Sequence, residues 1–173
     1  MRKNQQKYPQ ALDRALRQAA EIIMAADGRL VCLTGAGISV DSGISAFRGS
    51  QGLWDKYDPS EYAEISSFRL YPEKIWTMLG EMLTTVEQAQ PNQVHKSLVE
   101  MEERGWLDRI ITQNVDGLHQ VAGSRRVIEF HGGIRDLVCL ECAWRWPQFT
   151  LAEAASLPPR CRQCETILKP DVV

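Results

Sequence analysis

The sequence has no excess of charge of either sign. Its 173 residues include 20 Lys and Arg against 22 Asp and Glu, which leaves a formal net charge of −2. Proteins that bind nucleic acid through bulk electrostatics carry a clear positive surplus. We therefore expect no direct nucleic-acid binding, and we expect any partner to be selected by a specific site.

Long apolar runs are missing as well. No stretch approaches the roughly 20 apolar residues of a membrane-spanning helix. None follows the basic residues Arg2, Lys3 and Lys7 as it would in a secretory signal. Apolar residues nonetheless make up 44% of the chain, which is typical of a globular protein. These features predict a cytoplasmic protein without membrane contact.

The order of the apolar segments predicts an α/β fold. Helical periodicity indicates a first helix between Pro9 and Ala26 and two further helices that begin at Pro72 and after Asn92. A stretch rich in Gly, Ser, Asp and Pro, residues 41–67, has no period and predicts a long loop that acts as a lid. Alternation of strands with helices is typical of a parallel sheet. Strands are predicted at residues 30–33, 109–112 and 127–130.

Each predicted strand is followed by a turn that carries glycine or polar side chains. Open parallel sheets bind ligands at the carboxyl ends of their strands, so the three turns are expected to converge. Each also has an interpretation without a ligand: a tight glycine turn, an Asx-type turn at Asn114 and Asp116, and a packed imidazole at His131. The other two histidines, His95 and His119, are weaker candidates for a functional role. The three turns are residues 35–39, 113–116 and 131–133.

Four of the five cysteines form two pairs, Cys139-x-x-Cys142 and Cys161-x-x-Cys164. Two such pairs at this separation are a common ligand set for one tetrahedral Zn²⁺. Four protein ligands leave no open position for water, so the predicted zinc is structural. The alternative is two unrelated pairs of buried or redox-active thiols. The fifth cysteine, Cys32, lies within the first predicted strand and is expected to pack there.

Taken together and in order, four motifs resemble the sirtuin family of NAD-dependent protein deacylases. The resemblance covers the chain from about Leu12 to Val173. The motifs are GAGISVDSGISAFRG at residues 35–49, TQNVDGLH at residues 112–119, EFHG at residues 129–132, and the two cysteine pairs.

This resemblance implies an incomplete Rossmann-type parallel sheet with a small zinc-ribbon insertion. Residues 9–133 would be the N-terminal part of the NAD-binding domain, with a helical and lid insertion at about residues 41–104. Residues 134–169 would form the zinc ribbon, and residues 170–173 would begin the return to the Rossmann sheet, whose remainder is absent. We therefore expect a truncated form that is weakly active or inactive alone.

The resemblance also implies roles for particular residues. His131 would be the general base, Asp116 would face the nicotinamide carboxamide, and Asn114 would orient ribose or water. The structural zinc would be held by Cys139, Cys142, Cys161 and Cys164. The NAD-binding residues would be Gly35, Ala36, Gly37, Ser39, Phe47, Arg48, Gln113, Asn114 and Asp116.

The implied reaction transfers the acyl group of an acyl-lysine protein or peptide to ADP-ribose and releases nicotinamide. Ser45 and Ala46 stand where most members carry Pro-Asp or Pro-Thr, which puts turnover in more doubt than NAD binding. Leu79 and Met82 stand where the branch that removes acidic acyl groups carries Tyr and Arg, which favours an apolar acyl group such as acetyl. The alternatives are a non-catalytic zinc-ribbon interaction module and NAD-dependent ADP-ribosyl transfer at the same site.

Overall fold

The computed structural model describes residues 9–46, 52–154 and 156–173, and it has the predicted α/β architecture. Two 3-10 helices, Ala36–Ser42 and Leu151–Glu153, accompany the α-helices and strands. The α-helices are α1 (Gln10–Ala25), α2 (Leu53–Lys56), α3 (Pro59–Tyr62), α4 (Ile65–Leu70), α5 (Pro72–Gln88), α6 (Gln93–Glu103) and α7 (Leu118–Ala122). The strands are β1 (Leu30–Thr34), β2 (Leu107–Thr112), β3 (Val127–Glu129), β4 (Gly132–Val138), β5 (Arg145–Trp146) and β6 (Lys169–Val172).

The first three strands form a parallel sheet in the order β1-β2-β3, which confirms the predicted sheet. Thr34 at the end of β1 pairs with Thr112 at the end of β2, and Thr112 pairs in turn with Glu129 at the end of β3. The three strands therefore end at the same level. The turns that follow them begin side by side, as the prediction of convergence requires.

One face of this sheet packs against α6. Leu107 and Ile110 of β2 are buried against Leu98 of α6, and Cys32 packs half-buried in the same cluster, as expected. On the opposite face Leu33 is 67% exposed. The helix α1 buries none of its residues, although it has the amphipathic pattern that predicted it. No helix in the described ranges is both long and apolar enough to span a membrane.

The remaining strands form an antiparallel sheet in the order β5-β4-β6. In this sheet Gly133 pairs with Asp171, and Val138 pairs with Lys169. Residues 170–172 thus lie beside β4 and not beside β1, β2 or β3. The return to the parallel sheet that was expected to begin at residue 170 stays a prediction.

The larger core lies between α5 and this antiparallel sheet. The indole of Trp76 on α5 is buried and donates a hydrogen bond of 2.8 Å from Nε1 to the backbone carbonyl of Leu168, just before β6. Removal of apolar side chains from water stabilises this contact, so the helical insertion and the cysteine-bearing segment share one core. Its fully buried members include Leu83, Leu137, Phe149 and Leu168.

The prediction of a long loop at residues 41–67 is wrong in part. The helices α2 and α3 lie inside it, and α4 begins at Ile65. Asp58 caps α3 by accepting a hydrogen bond from the backbone N–H of Ser60 at 2.9 Å, and Pro59 occupies the first helical position. Helices of four residues are too short to show an apolar period. Residues 47–51 lie outside the described residues.

Candidate active site

The first turn of the site is built from the glycines that follow β1. Gly35 is extended, and the 3-10 helix that begins at Ala36 places Ser39 inward, 1% exposed. A Cβ added at Gly37 would meet no described atom within 4 Å, and one at Gly35 would meet the Gln113 side chain at 3.9 Å. The backbone of this turn is therefore open to the close approach of a ligand.

The second turn meets the first through hydrogen bonds between buried side chains. The hydroxyl of Ser39 donates to Asp116 Oδ2 at 2.7 Å, and the amide of Asn114 donates to Ser39 Oγ at 3.1 Å. Asp116 Oδ1 accepts from the backbone N–H of Leu118 at 2.9 Å, which is an Asx-type turn. Asp116 therefore forms the Asx-type turn of the interpretation without a ligand through Oδ1. Through Oδ2 it also joins the hydrogen-bonded cluster.

Two buried histidines lie next to this cluster. The helical spacing of the sequence does not single them out. His95 on α6 and His119 on α7 are both buried, with ring centroids 5.0 Å apart. Burial lowers the pKa of His119 to about 4, with a smaller lowering from His95, against the opposing effect of Asp116. Burial likewise lowers the pKa of His95. Both rings are therefore neutral at pH 7.

Two threonines connect this pair of histidines to the second turn. Thr34 Oγ1 lies 2.9 Å from His119 Nε2 and donates to Thr112 Oγ1 at 2.9 Å. Thr112 Oγ1 accepts from the backbone N–H of Asn114 at 3.1 Å. The sequence signal that could have pointed here is the pair of threonines at the ends of β1 and β2.

Asn92 is a further positioning residue that the sequence analysis treated only as a helix boundary. Its side-chain oxygen caps α6 by accepting from the backbone N–H of Val94 at 2.9 Å. Its amide nitrogen donates to the carbonyl of Ile38 at 2.7 Å and to Ser42 Oγ at 3.0 Å. One side chain therefore fixes both the start of α6 and the 3-10 helix of the first turn.

The hydrogen-bonded cluster opens on a cavity of about 260 Å³. The wall on this side contains four of the predicted residues: Ala36, Ser39, Asn114 and Asp116. The rest of the lining comes mainly from α5, from α2 and from the segment before α2, and it includes the ion pair of Lys56 with Glu81 as well as apolar side chains. The apolar lining includes Ile44, Leu53, Met82, Val86 and Val115.

His131 lines a second, neighbouring cavity of about 200 Å³. Its ring packs edge to face on Phe130, with centroids 5.1 Å apart. Gln113 lines this second cavity too. The two cavities have three lining residues in common: Leu53, Met82 and Val115. The three turns thus surround two adjacent chambers and not one.

The predicted site residues are therefore only partly brought together. The structure joins the first and second turns by direct hydrogen bonds, and it places His131 on the far side of the shared wall. Phe47 and Arg48, predicted to bind NAD, lie outside the described residues. Leu79 and Met82 both line the second cavity.

The four paired cysteines form one cluster, with all their sulfur atoms within 4.8 Å of one another. Cys139 Sγ lies 3.4 Å from Cys164 Sγ, and Cys142 Sγ lies 3.5 Å from Cys161 Sγ. A tetrahedral Zn²⁺ with bonds of about 2.3 Å to sulfur holds its ligands about 3.8 Å apart. The cluster therefore fits the predicted zinc site, and it disfavours two unrelated thiol pairs.

Comparison with known proteins identifies close relatives. The chain is 44% identical over 160 residues to an NAD-dependent protein deacetylase of Sulfolobus acidocaldarius, covering 91% of this chain and 62% of that protein. It is 46% identical over 161 residues to NAD-dependent protein deacylase 2 of Archaeoglobus fulgidus, covering 91% and 63%. The chain thus spans less than two thirds of the length of these relatives.

A solved structure agrees with these sequence matches. The crystal structure of a Sir2 homologue in complex with NAD superposes with a TM-score of 0.77 at 40% identity, covering 89% of this chain and 60% of that one. The sequence model of the Sir2 family matches residues 35–173, which include both turns of the hydrogen-bonded cluster, His131 and the four clustered cysteines. The chain therefore belongs to the Sir2 family.

Proposed function

We propose that this protein removes acyl groups from lysine side chains of proteins in a reaction that consumes NAD. The observation that carries the proposal is the pair of adjacent chambers, one walled by Ser39, Asn114 and Asp116 and the other lined by His131. One chamber suits the nicotinamide end of NAD and the other an acyl-lysine. Relatives at 44% and 46% identity are named for this NAD-dependent activity.

The first chamber offers the groups that a carboxamide and a ribose need. NAD supplies a ribose carbon from which nicotinamide departs. The Asp116 carboxylate, which can only accept hydrogen bonds, would receive the carboxamide N–H. Asn114 is a neutral amide, so it would orient ribose or water without acting as a nucleophile. The open backbone of residues 35–37 would lie against the phosphates, with Phe47, Arg48 and Gln113 as further NAD contacts.

The second chamber suits an uncharged acyl-lysine. Its walls include Phe68, Ile75 and Leu79, which would exclude water from the lysine stem. The Lys169 ammonium also lines it, but Nζ donates to the carbonyls of Pro170 at 2.9 Å and Val172 at 2.6 Å. Glu64 lines the same chamber, so its carboxylate offsets the charge of Lys169 and the lining favours acetyl over an acidic acyl group.

His131 would act as the general base. It is half-buried at the second chamber, and a neutral imidazole can accept a proton. The proton would come from a ribose hydroxyl once the acyl oxygen has displaced nicotinamide. Zn²⁺ held by the four clustered cysteines would support the fold and take no part in the chemistry.

The test is a single-turnover assay with the 173-residue chain in excess over an acetyl-lysine peptide, with NAD labelled in nicotinamide. We expect a slow release of nicotinamide with matching formation of free lysine. His131→Ala should block the formation of free lysine, because the base acts after nicotinamide has departed, and it should leave zinc content and melting temperature unchanged. Formation of free lysine no greater than that of the His131→Ala control would overturn the proposal.

The same assay separates the alternatives. A second NAD label in the adenosine half would become attached to protein if the site catalysed ADP-ribosyl transfer, and free lysine would not form. An interaction module without catalysis would release nicotinamide at the background rate. Rapid multiple turnover would contradict the expectation that the chain alone is weakly active.

A further inference from the structure

A continuous chain of hydrogen bonds runs from the buried His119 to the carboxylate of Asp116. We propose that His119 is a positioning residue, which donates from Nε2 to Thr34 and so holds Thr34 and Thr112 where Thr112 can accept the backbone N–H of Asn114. The inference rests on the proposed function, because it assigns His119 a part in the same reaction. His119 touches none of the reacting groups, so its effect is indirect.

The direction of the chain follows from the protons available to Thr34. Its hydroxyl has one proton, and that proton is donated to Thr112 Oγ1 at 2.9 Å. At the 2.9 Å contact with His119, Thr34 must therefore accept, and the ring must carry its proton on Nε2. Nδ1 of His119 has no hydrogen-bond partner among the described residues. The opposite tautomer would bury an unpaired N–H, a rarer defect than an unpaired acceptor.

The chain reaches Asn114 through its backbone and leaves through its side chain. Thr112 Oγ1 accepts the backbone N–H of Asn114 at 3.1 Å, and the Asn114 amide donates to Ser39 Oγ at 3.1 Å. Ser39 then donates to the Asp116 carboxylate at 2.7 Å. Since a carboxylate only accepts, this end of the chain has a fixed direction too. Asn114 is therefore held from both sides by directed bonds.

His119 is suited to this part because it keeps a single ring proton at neutral pH. It is 1% exposed, and its pKa is lowered to about 4 by burial first and by neighbouring His95 second. Asp116 opposes that lowering. A neutral imidazole has one donor and one acceptor, so a ring protonated on Nε2 can hold Thr34 without burying a second N–H.

Two pairs of variants test the proposal in the zinc-loaded 173-residue chain. His119→Gln places an amide N–H near the position of Nε2, whereas His119→Leu removes the donor. Thr34→Ser keeps the hydroxyl, whereas Thr34→Val removes it at similar volume. Val121→Ala, on the exposed side of α7, is the control. The readouts are kcat and KM in the nicotinamide assay, the ¹⁵N NMR tautomer of His119 and the amide resonances of Asn114.

We expect His119 to be protonated on Nε2 alone. His119→Leu and Thr34→Val should lower kcat about tenfold or more and shift the Asn114 resonances, with little change in the KM for NAD. His119→Gln and Thr34→Ser should stay within about threefold of the wild type. A merely structural histidine would show no such rescue, because Gln and Leu would then behave alike.

Protonation of His119 on Nδ1 would overturn the proposal, as would unchanged kcat and Asn114 resonances in Thr34→Val. If His119→Leu does not fold, the Thr34 pair decides the outcome. If the wild type releases no nicotinamide, the proposed function fails, and the tautomer with the Asn114 resonances still decides whether His119 holds Asn114 in place through Thr34.

Discussion

The hydroxyl of Ser39 lies between two side chains with opposite hydrogen-bonding needs. It accepts from the Asn114 amide at 3.1 Å and donates to the Asp116 carboxylate at 2.7 Å. A hydroxyl does both from a single atom, whereas a carboxylate in its place could only accept and would leave Asp116 without this donor. This explains in physical terms why a serine follows the glycine turn. It also ties two turns that are distant in sequence into one wall.

His119 makes the stability of the protein sensitive to mild acid. Its pKa falls from the ordinary 6.5 to about 4 on folding, chiefly through burial. Between these values the unfolded chain binds a proton that the folded chain does not, so stability falls as the pH drops from 6.5 towards 4. We expect the free energy of unfolding to drop by about 2 kcal/mol more in the wild type than in His119→Gln between pH 7 and pH 5.

Urea unfolding of both proteins at the two pH values measures this difference. The subtraction cancels the acid sensitivity that both chains share through their cysteine cluster. Equal losses in the wild type and His119→Gln would mean that His119 titrates normally and is not desolvated as the structure indicates.

Among the secondary-structure elements, α6 is tied to the site by Asn92, the residue that caps its start. Asn92 caps the helix and also holds the Ile38 carbonyl and the Ser42 hydroxyl. Asn92→Ala loses the cap and the two donated bonds, so we expect a loss of about 2 kcal/mol in unfolding free energy. Asn92→Ser keeps a capping oxygen and should recover about 1 kcal/mol of this. Both variants should slow nicotinamide release, because neither can hold the first turn.

Asp58 provides the matched control for that measurement. It caps α3 through Ser60 and lines neither cavity. Asp58→Ala should cost about 1 kcal/mol and leave kcat unchanged. A wild-type rate in Asn92→Ser would show that the amide bonds to the 3-10 helix have no part in the site.

The sequence predicts an element well where its pattern repeats. The 17 residues of α5 carry several apolar turns, and its start at Pro72 was predicted correctly. The four-residue α2 and α3 contain a single turn each, so no period could indicate them. The residues of the site also divide into those that the sequence pattern predicts and those that depend on packing. The motif order predicts Ser39, Asn114 and His131 as site residues, but the burial of His119 depends on packing between α6 and α7, which helical spacing does not predict.

For the molecule as a whole, the decisive feature is that the cysteine cluster and the helical insertion share one core. Cys139 and Cys161 are buried in the same cluster as Trp76 and Leu83 of α5. The Trp76 indole adds a hydrogen bond to the carbonyl of Leu168. Met82 on the same helix lines both cavities. Loss of order at the cysteines should therefore spread to the site.

Removal of the metal tests this coupling. We expect one Zn²⁺ per wild-type chain, and we expect Cys139→Ser to lose both the metal and cooperative melting, because the shared core collapses with the cluster. Cys32→Ser is the control: this fifth cysteine is half-buried beside β2 and outside the cluster, so its zinc content should stay at one per chain. Elemental analysis and tryptophan fluorescence during melting measure both effects. A Cys139→Ser chain that binds no zinc yet melts like the wild type would show that the core holds α5 in place without the metal.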